Sequence, residues 1–490
     1  MSRTSRRTFL KQTAAAGLAV TVASTSARSY ARILGANDRV RLGVAGIHGR
    51  GSSHIDEFAR MSDVEVAYLI DPDTRLFEGR SNQVKSRAGN TPKCVQDIRQ
   101  ALEDKDLNAV SVATCNHWHA LITFWACQAG KDVYVEKPCC HNVFEGQQIV
   151  KAAEKYGRIV QHGTQSRGDK NWAKTVAAIA SGKYGKLLVS KGYASKGGAG
   201  RWTCGFKETK APPDGFDFNL WLGPAPEQPY HENIVHYNWH WFWDFGNGEI
   251  GNQGVHQMDI ARWGIPNATL PKSVISLGGR WTTDKGNKDQ AQTPNMQLTV
   301  FDFDGTLLVF EVASLCGESP ITKKDVPGRV DNEFYLEEGK IVKGKFIPKG
   351  KDQGEELADV EVDLQPGGVF RNFIDCVKSR KRENLLADVQ KAFYSAALCH
   401  LGNISYRLGK EVPGSSAPEG LPDNPQVKES VDWIRQGLKD FLDYDLSQHS
   451  YTLGPKLAFD AEKQRFADNE DANKMLTRAY REPFVVTEEV

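Results

Sequence analysis

Between Arg39 and Gln165 the chain alternates short apolar runs with helix-like stretches, and this alternation constrains the fold more than any other feature. The runs "RVRLGVAGI", "VEVAYLIDPD", "AVSVATCN", "DVYVEKP" and "RIVQHGTQ" read as buried strands. Between them, "SSHIDEFARM", "TRLFEGRSNQVKSRA", "HALITFWACQAG" and "NVFEGQQIVKAAEKYG" read as helices. Strand and helix signals at this spacing specify βαβ units and a parallel sheet.

The first strand runs into "RLGVAGIHGRG", residues 41–51, a turn that nearly matches G-x-G-x-x-G. In that pattern the first glycine makes the tight turn, the second lets the backbone approach a pyrophosphate, and the third allows close helix–strand packing. Gly46 and Gly51 take the outer positions, Ile47, Gly49 and Arg50 fill the intervening ones, and His48 stands where the middle glycine belongs. Histidine is among the non-glycine residues enriched at positive φ, so the expectation is a left-handed His48 with its side chain turned from the phosphates. Asp71 closes the second strand 25 residues beyond Gly46, at the place of the acid that takes a ribose 2′-hydroxyl. Arg75 nearby is the alternative, a partner for a 2′-phosphate. The segment thus predicts a dinucleotide site for NAD, with NADP as the alternative.

"SRRTFLK" places Arg6 and Arg7 ahead of the short apolar run "TAAAGLAVTVASTSA", the pattern of a twin-arginine export signal. The run is too short to span a membrane. The expectation is a folded, cofactor-loaded protein exported to the periplasm of a Gram-negative bacterium, without a membrane span once mature. A formal net charge of +1 gives no electrostatic footprint for nucleic acid. Nine cysteines, odd in number and without C-x-x-C spacing, indicate neither a disulfide scaffold nor a metal site, although Cys139 and Cys140 are adjacent.

"GKDVYVEKPCCHNVFEG" and the upstream "ATCNHWHALITFWACQAGK" resemble the E-K-P segment and the preceding helix of the glucose–fructose oxidoreductase / inositol dehydrogenase (Gfo/Idh/MocA) family. "FRNFIDCVKSRKRENLLADVQKAFYSAALCHLGNISYRLGK" and "FADNEDANKMLTRAYREPF" resemble its exported bacterial branch. The resemblance implies an α/β fold: an N-terminal Rossmann domain, then a C-terminal α+β domain with a large, open, mostly antiparallel sheet. On this basis residues 1–36 are signal and linker, 37–162 the NAD-binding domain, 163–415 the substrate and oligomerisation domain, and 416–490 a helical extension and tail.

The resemblance also implies site residues. Lys137 matches the E-K-P lysine, beside the nicotinamide and the reacting hydroxyl, where an ammonium stabilises developing alkoxide charge; Pro138 then follows a cis bond. Glu136, Thr114, Asn116 and His119 stand along the same sheet edge, and Gln165 in "GTQSR" joins the domains, so all five are assigned to the cofactor. In "GNGEIGNQGVHQMDIARW" many relatives carry an aspartate four residues before a histidine. Here these positions are Asn252 and His256, and i,i+4 spacing sets both on one helix face. Asparagine does not ionise, so Asn252 is expected to hydrogen-bond a sugar hydroxyl or fix the His256 tautomer, and His256 to move the hydroxyl proton, with Lys137 as partner or rival. Asp259, one turn on, either orients His256 or contacts substrate, with a helix cap or a salt bridge as the alternative. His119, Arg167, Arg201, Trp239 and Trp241 are further substrate candidates, the tryptophans for stacking on a sugar ring.

The activity so implied is NAD(P)-dependent oxidation of a sugar, glycoside or polyol hydroxyl, with the cofactor tightly held and the chain a homo-oligomer, dimer or tetramer. The alternative is an NAD-dependent glycosidase, in which the ring is oxidised transiently, the glycosidic substituent is eliminated and the ring is re-reduced.

Overall fold

The computed structural model describes residues 39–198, 200–283, 288–362, 364 and 366–490. The twin-arginine segment lies outside the described residues. Six parallel strands, β1 (Val40–Ala45), β2 (Val64–Ile70), β3 (Lys93–Val95), β4 (Ala109–Val112), β5 (Asp132–Val135) and β6 (Val160–His162), form a sheet of order 3-2-1-4-5-6. Helices α1 (Gly49–Ala59), α2 (Asn116–Gln128) and α3 (Val143–Lys155) cross over between strands. This is the doubly wound arrangement that the alternation predicts, and its strand order reverses between β1 and β4, where ligands of such sheets bind.

The second sheet begins at β7 (Leu187–Ala194) and continues through β8 (Ser273–Gly279), β9 (Met296–Phe303) and β10 (Thr306–Ala313). β7 and β10 run parallel, while the β9–β10 and β8–β9 pairs are antiparallel. Asp304 and Gly305, both at positive φ, join β9 to β10 in the two-residue hairpin that this dipeptide favours. Beyond β7 the sheet extends antiparallel through Val330–Leu336, Gly339–Val342 and Lys345–Pro348. Beyond β8 it extends through Ser450–Leu453 and Lys410–Pro413. Helix α4 (Gly254–Gly264) packs on β7 and the Val330–Leu336 strand.

Two helices tie the sheets together. α5 (Gly368–Ser379) is amphipathic and returns to the Rossmann half, burying Val369, Phe370, Phe373, Ile374 and Val377 against Phe58, Tyr134 and the β1–β2 core. α6 (Val389–Arg407) is buried along most of its length and lies between α3, α4 and β8. Helix α7 (Pro425–Leu442) covers the outer face of β9 and β10 with Val427, Ile434, Leu438 and Phe441.

Candidate active site

At the end of β1, Gly46 takes φ +78° and its N–H bonds Ile70 O. A Cβ on Gly46 would meet Thr114 N at 2.6 Å, and one on Gly51 would meet Gly46 O at 1.8 Å. The outer glycines are thus required by backbone crowding. His48 is different. Its φ is −72°, so the left-handed conformation expected of it is not used; freedom at positive φ is needed at Gly46 alone in this turn. The His48 ring stacks on His236, with centroids 4.5 Å apart. Arg80 holds the turn from behind, donating to Ile47 O at 2.7 Å and His48 O at 3.1 Å. No side chain caps α1, which leaves its first N–H groups for an anion.

Asp71 lies in the wall of the adjoining cleft and accepts N–H bonds from Ile47 (2.9 Å) and Asp73 (3.0 Å). Burial pushes its carboxyl up to about 6 despite those bonds. Arg75 does not face the cleft as the 2′-phosphate alternative requires. Its guanidinium is bidentate to Asp73, at 2.7 and 2.6 Å.

A long segment of the second domain straps across this mouth. Thr74 N bonds Gly215 O at 2.9 Å and Asp217 N bonds Pro72 O at 2.9 Å. His117 Nε2 and Trp118 Nε1 both donate to Trp221 O at 3.0 Å, so these two side chains hold the strap. His236 Nε2 lies 3.1 Å from Asp73 Oδ2. The C-terminal tail holds the strap from outside, through Arg481 to Gly223 O and Arg478 to Asp244 O.

The resulting cleft encloses about 310 Å³ between the two domains. Gly46, His48, Gly49, Arg50, Asp71, Thr114 and Asn116 line its dinucleotide end. His119, Glu136, Lys137, Asn252 and Trp239 line the far end. Ile47, Gly51, Arg75, Gln165, Arg167, Arg201, Trp241, His256 and Asp259 are not part of the wall.

Several side chains serve other groups than those expected. The Glu136 carboxylate is saturated by Arg50 Nε (2.7 Å), His54 Nε2 (3.0 Å) and Lys137 N (3.2 Å), with Gln165 at 3.4 Å. These partners hold it well below the usual carboxylate range. His119 is buried, and its nitrogens lie 2.7 Å from Pro138 O and 3.0 Å from Thr114 O, so it pins the cis Lys137–Pro138 bond instead of offering a ring nitrogen to substrate. Asp259 does not orient His256. It forms a buried bidentate pair with Arg167, at 2.8 Å for each bond, and accepts from Ser395 Oγ at 2.6 Å. Both Arg167 and Asp259 are therefore spent on the fold rather than on substrate. Trp241 is fully buried, whereas Trp239 stacks on His240 at 3.6 Å in the cleft wall. Cys139 and Cys140 are free thiols buried beneath the site.

Lys137 is the centre of the far end. Its Nζ donates to Asn252 O at 3.0 Å and Asn252 Oδ1 at 3.2 Å. Burial lowers its pKa, and Glu136 and Glu249 oppose that. Asn252 Nδ2 in turn donates to Glu249 Oε2 (3.2 Å), which also accepts from Arg201 Nε (3.1 Å). The His256 ring makes no hydrogen bond among the described residues. Burial and the Lys137 charge push it down to about 3, so it is neutral at ordinary pH.

Glu249, Tyr237 and His240 belong to this end and escape the sequence reading. The one signal for Glu249 is its i,i+3 spacing to Asn252 in "GEIGN". Tyr237 is 49% exposed, and its Oη accepts from Arg201 at 3.2 Å. It is the accessible ring that Trp241 was expected to be.

Residues 40–164 match the oxidoreductase family, NAD-binding Rossmann fold (Gfo/Idh/MocA), and residues 192–278 match the C-terminal alpha/beta domain of that family. Inositol 2-dehydrogenase of Salmonella paratyphi B is 30% identical over 155 residues, which are 31% of this chain and 45% of that protein. A glycosyl hydrolase family 109 protein of Shewanella pealeana is 26% identical over 155 residues, 31% of this chain and 34% of the relative. The chain thus spans less than half the length of these curated relatives. The WlbA dehydrogenase from Bordetella pertussis, in complex with NADH and UDP-GlcNAcA, superposes with a TM-score of 0.54 at 15% identity, over 75% of this chain and 97% of that one. That likeness is one of fold. Residues 40–164 and 192–278 thus match, in chain order and on a parallel sheet followed by a large mostly antiparallel one, the two domains of the Gfo/Idh/MocA family of NAD-binding oxidoreductases.

Proposed function

We propose that the protein oxidises a hydroxyl of a sugar, glycoside or polyol with NAD. The observation that carries this reading is a single cleft holding a glycine turn and Asp71 at one end and the Lys137 ammonium at the other. The residues fit a dinucleotide: Gly46 and Gly51 leave no room for a Cβ, the α1 N–H groups are free for the pyrophosphate, and Asp71 faces the ribose position. A nicotinamide dinucleotide, when bound, supplies the acceptor for a hydride from the carbinol carbon. Lys137 meets the substrate oxygen and stabilises the charge that develops as its proton leaves. We assign that proton to Lys137 as the neutral amine, the form that burial favours, which becomes the stabilising ammonium on taking it; His256 is the weaker base and lies outside the cleft wall. Tyr237 and Trp239 supply aromatic surface for a sugar ring.

NAD is favoured over NADP because the Asp71 carboxylate would face a 2′-phosphate while Arg75 is already paired with Asp73. Asp71→Asn should weaken NAD binding by about 2 kcal/mol, the worth of a hydrogen bond to a charged group. The ionised carboxylate is the better acceptor for a hydroxyl. With its pKa near 6, wild-type affinity should therefore fall as pH drops below about 6, and the variant should lose that dependence. Calorimetric titration with NAD and NADP measures both, and equal affinity for the two cofactors would refute the preference.

A second reading is favoured by the strap, whose bonds to Pro72, Thr74, His117 and Trp118 roof the cleft and support a retained cofactor. A retained cofactor suits a redox-neutral cycle, and one relative is named a glycosyl hydrolase family 109 protein. The deciding experiment incubates the protein with a panel of aryl glycosides and free sugars. Accumulating NADH with a keto-sugar supports the dehydrogenase, whereas released aglycone without net NADH supports the glycosidase. Neither product from any substrate, with NAD bound, would overturn both.

The remaining expectations stay proposals. If the chain assembles through its open sheet, the Val330–Leu336 strand and the strands beyond it are the candidate part, since α7 packs on β9 and β10 and reaches β7 through the Lys191–Glu429 pair. Export by the twin-arginine route rests on Arg6, Arg7 and the short apolar run after them.

A further inference from the structure

We infer that Glu249 is a positioning residue: it fixes which end of the Asn252 amide faces Lys137 and so governs the protonation of that lysine. This rests on the reading of Lys137 as the group that meets the reacting oxygen.

An asparagine side chain can present either its oxygen or its NH₂ group to a neighbour. Burial raises the Glu249 carboxyl, and the Arg201 guanidinium opposes this; held ionised by that pair, Glu249 only accepts, so its Oε2, 3.2 Å from Asn252 Nδ2, selects the orientation in which Oδ1 points to Lys137. Were the amide reversed, its NH₂ group would face the ammonium, donor against donor. Glu249 is itself fixed. It is fully buried, Arg201 Nε donates to it at 3.1 Å, and Arg201 is held in turn by Tyr237 Oη and by Asn295 Nδ2 on its carbonyl.

Among the described residues Lys137 has no carboxylate acceptor of its own; its two acceptors are oxygens of Asn252. The charged groups facing it come in two pairs. Glu136 with Arg50 stands on the Rossmann side, and Glu249 with Arg201 on the other. Glu136 is consumed by Arg50 and His54, whereas Glu249 Oε1 makes no hydrogen bond among the described residues. The histidines that feel the Lys137 charge (His119, His240 and His256) are pushed down by burial, and the Cys399 thiol is pushed up, so all four are neutral around pH 7. Glu249 and Arg201 therefore act on Lys137 with opposite sign: the carboxylate favours the ammonium and the guanidinium disfavours it.

The opposition gives a test that a purely structural role would not meet. The full chain is labelled with ¹³Cε-lysine and titrated by NMR, with and without NAD, and the Lys137 resonance is assigned by its absence in Lys137→Arg. Glu249→Gln should move the Lys137 midpoint down by about one pH unit, and Glu249→Asp should restore most of the shift. Arg201→Gln should move it up. The limb of the kcat/KM profile that belongs to Lys137 should follow in each case. An unchanged midpoint in Glu249→Gln, or shifts of the same sign in the Glu249→Gln and Arg201→Gln proteins, would overturn the inference. Should Glu249→Gln fail to fold, Arg201→Gln decides, and a midpoint that does not rise overturns the inference equally. Because the resonance reads Lys137 directly, failure to turn over any carbohydrate counts against the proposed reaction and leaves the titration result standing.

Discussion

Replacing Lys137 by methionine should lower turnover by about three orders of magnitude while leaving the fold and dinucleotide binding intact. Methionine keeps the length and apolar stem of lysine and removes the ammonium. The bonds lost run from Nζ to the two oxygens of Asn252, which line the cleft and are open to water when the ammonium is gone. The glycine turn, Asp71 and the α1 N-terminus are untouched, so NAD should bind with parent affinity in calorimetry. The loss falls on the chemical step because Lys137 is the cationic donor in the cleft wall that is free of a carboxylate partner: Arg50 is tied to Glu136 there. Removing one such donor from a pre-organised site commonly costs a factor of about a hundred to a thousand. The proton acceptor lost with it acts in the same step, so the two losses overlap and do not multiply. The parent and variant are compared under saturating NAD on whichever substrate the product screen identifies. Turnover within tenfold of the parent would return the proton to His256 and remove Lys137 from the chemistry.

The features legible in the sequence were those set by local geometry. The strand–turn–helix unit at residues 40–59 announces itself because Gly51 is crowded by Gly46, five residues before it, and Gly46 turns at φ +78°; the crowding of Gly46 by Ala113 and Thr114 comes from far along the chain. Asp71 follows because a parallel crossover has a nearly fixed length. The cis Lys137–Pro138 bond is one that only an X-Pro pair takes readily, and the resemblance marked it. Residue chemistry misled where the partner lay far along the chain. Arg167 and Asp259 are 92 positions apart, and each alone is a plausible substrate ligand, yet together they neutralise each other in the interior. Arg75 was diverted by Asp73, two residues away, which a pattern seeking one acid per strand end does not anticipate. The strap was illegible for a related reason. Its bonds to Pro72, Thr74, His117 and Trp118 come largely from backbone groups more than a hundred residues downstream, which carry no side-chain signature. The return of α5 to the Rossmann core is likewise written only as an amphipathic helix, with nothing in its residues to say which sheet it meets.

The turn at residues 46–51 separates what its glycines do from what its histidine does, and substitutions there should have opposite outcomes. Gly51→Ala should abolish NAD binding and destabilise the Rossmann half by about 3 kcal/mol or more. The added Cβ would stand 1.8 Å from Gly46 O and 2.8 Å from Gly46 C, both backbone atoms that cannot rotate aside as a side chain would. Relief requires α1 to move away from the β1 exit. That movement withdraws the helix N–H groups from the phosphate position and breaks the Ile47 N bond to Asp71. Cofactor binding and stability are then lost together, because one contact supports both. His48→Gly should do neither. His48 has φ −72°, a value open to any residue, and its ring stacks on His236 at the mouth of the cleft. Glycine there gives up that stack and adds backbone freedom to the unfolded chain, at a cost of about 1 kcal/mol. Thermal unfolding with and without NAD distinguishes the two substitutions: NAD should raise the midpoint of His48→Gly as it does the parent's and leave Gly51→Ala unmoved. If Gly51→Ala bound NAD like the parent, the third glycine would not be what fixes the helix against the strand, and the dinucleotide would have to be held chiefly by Asp71 and the strap.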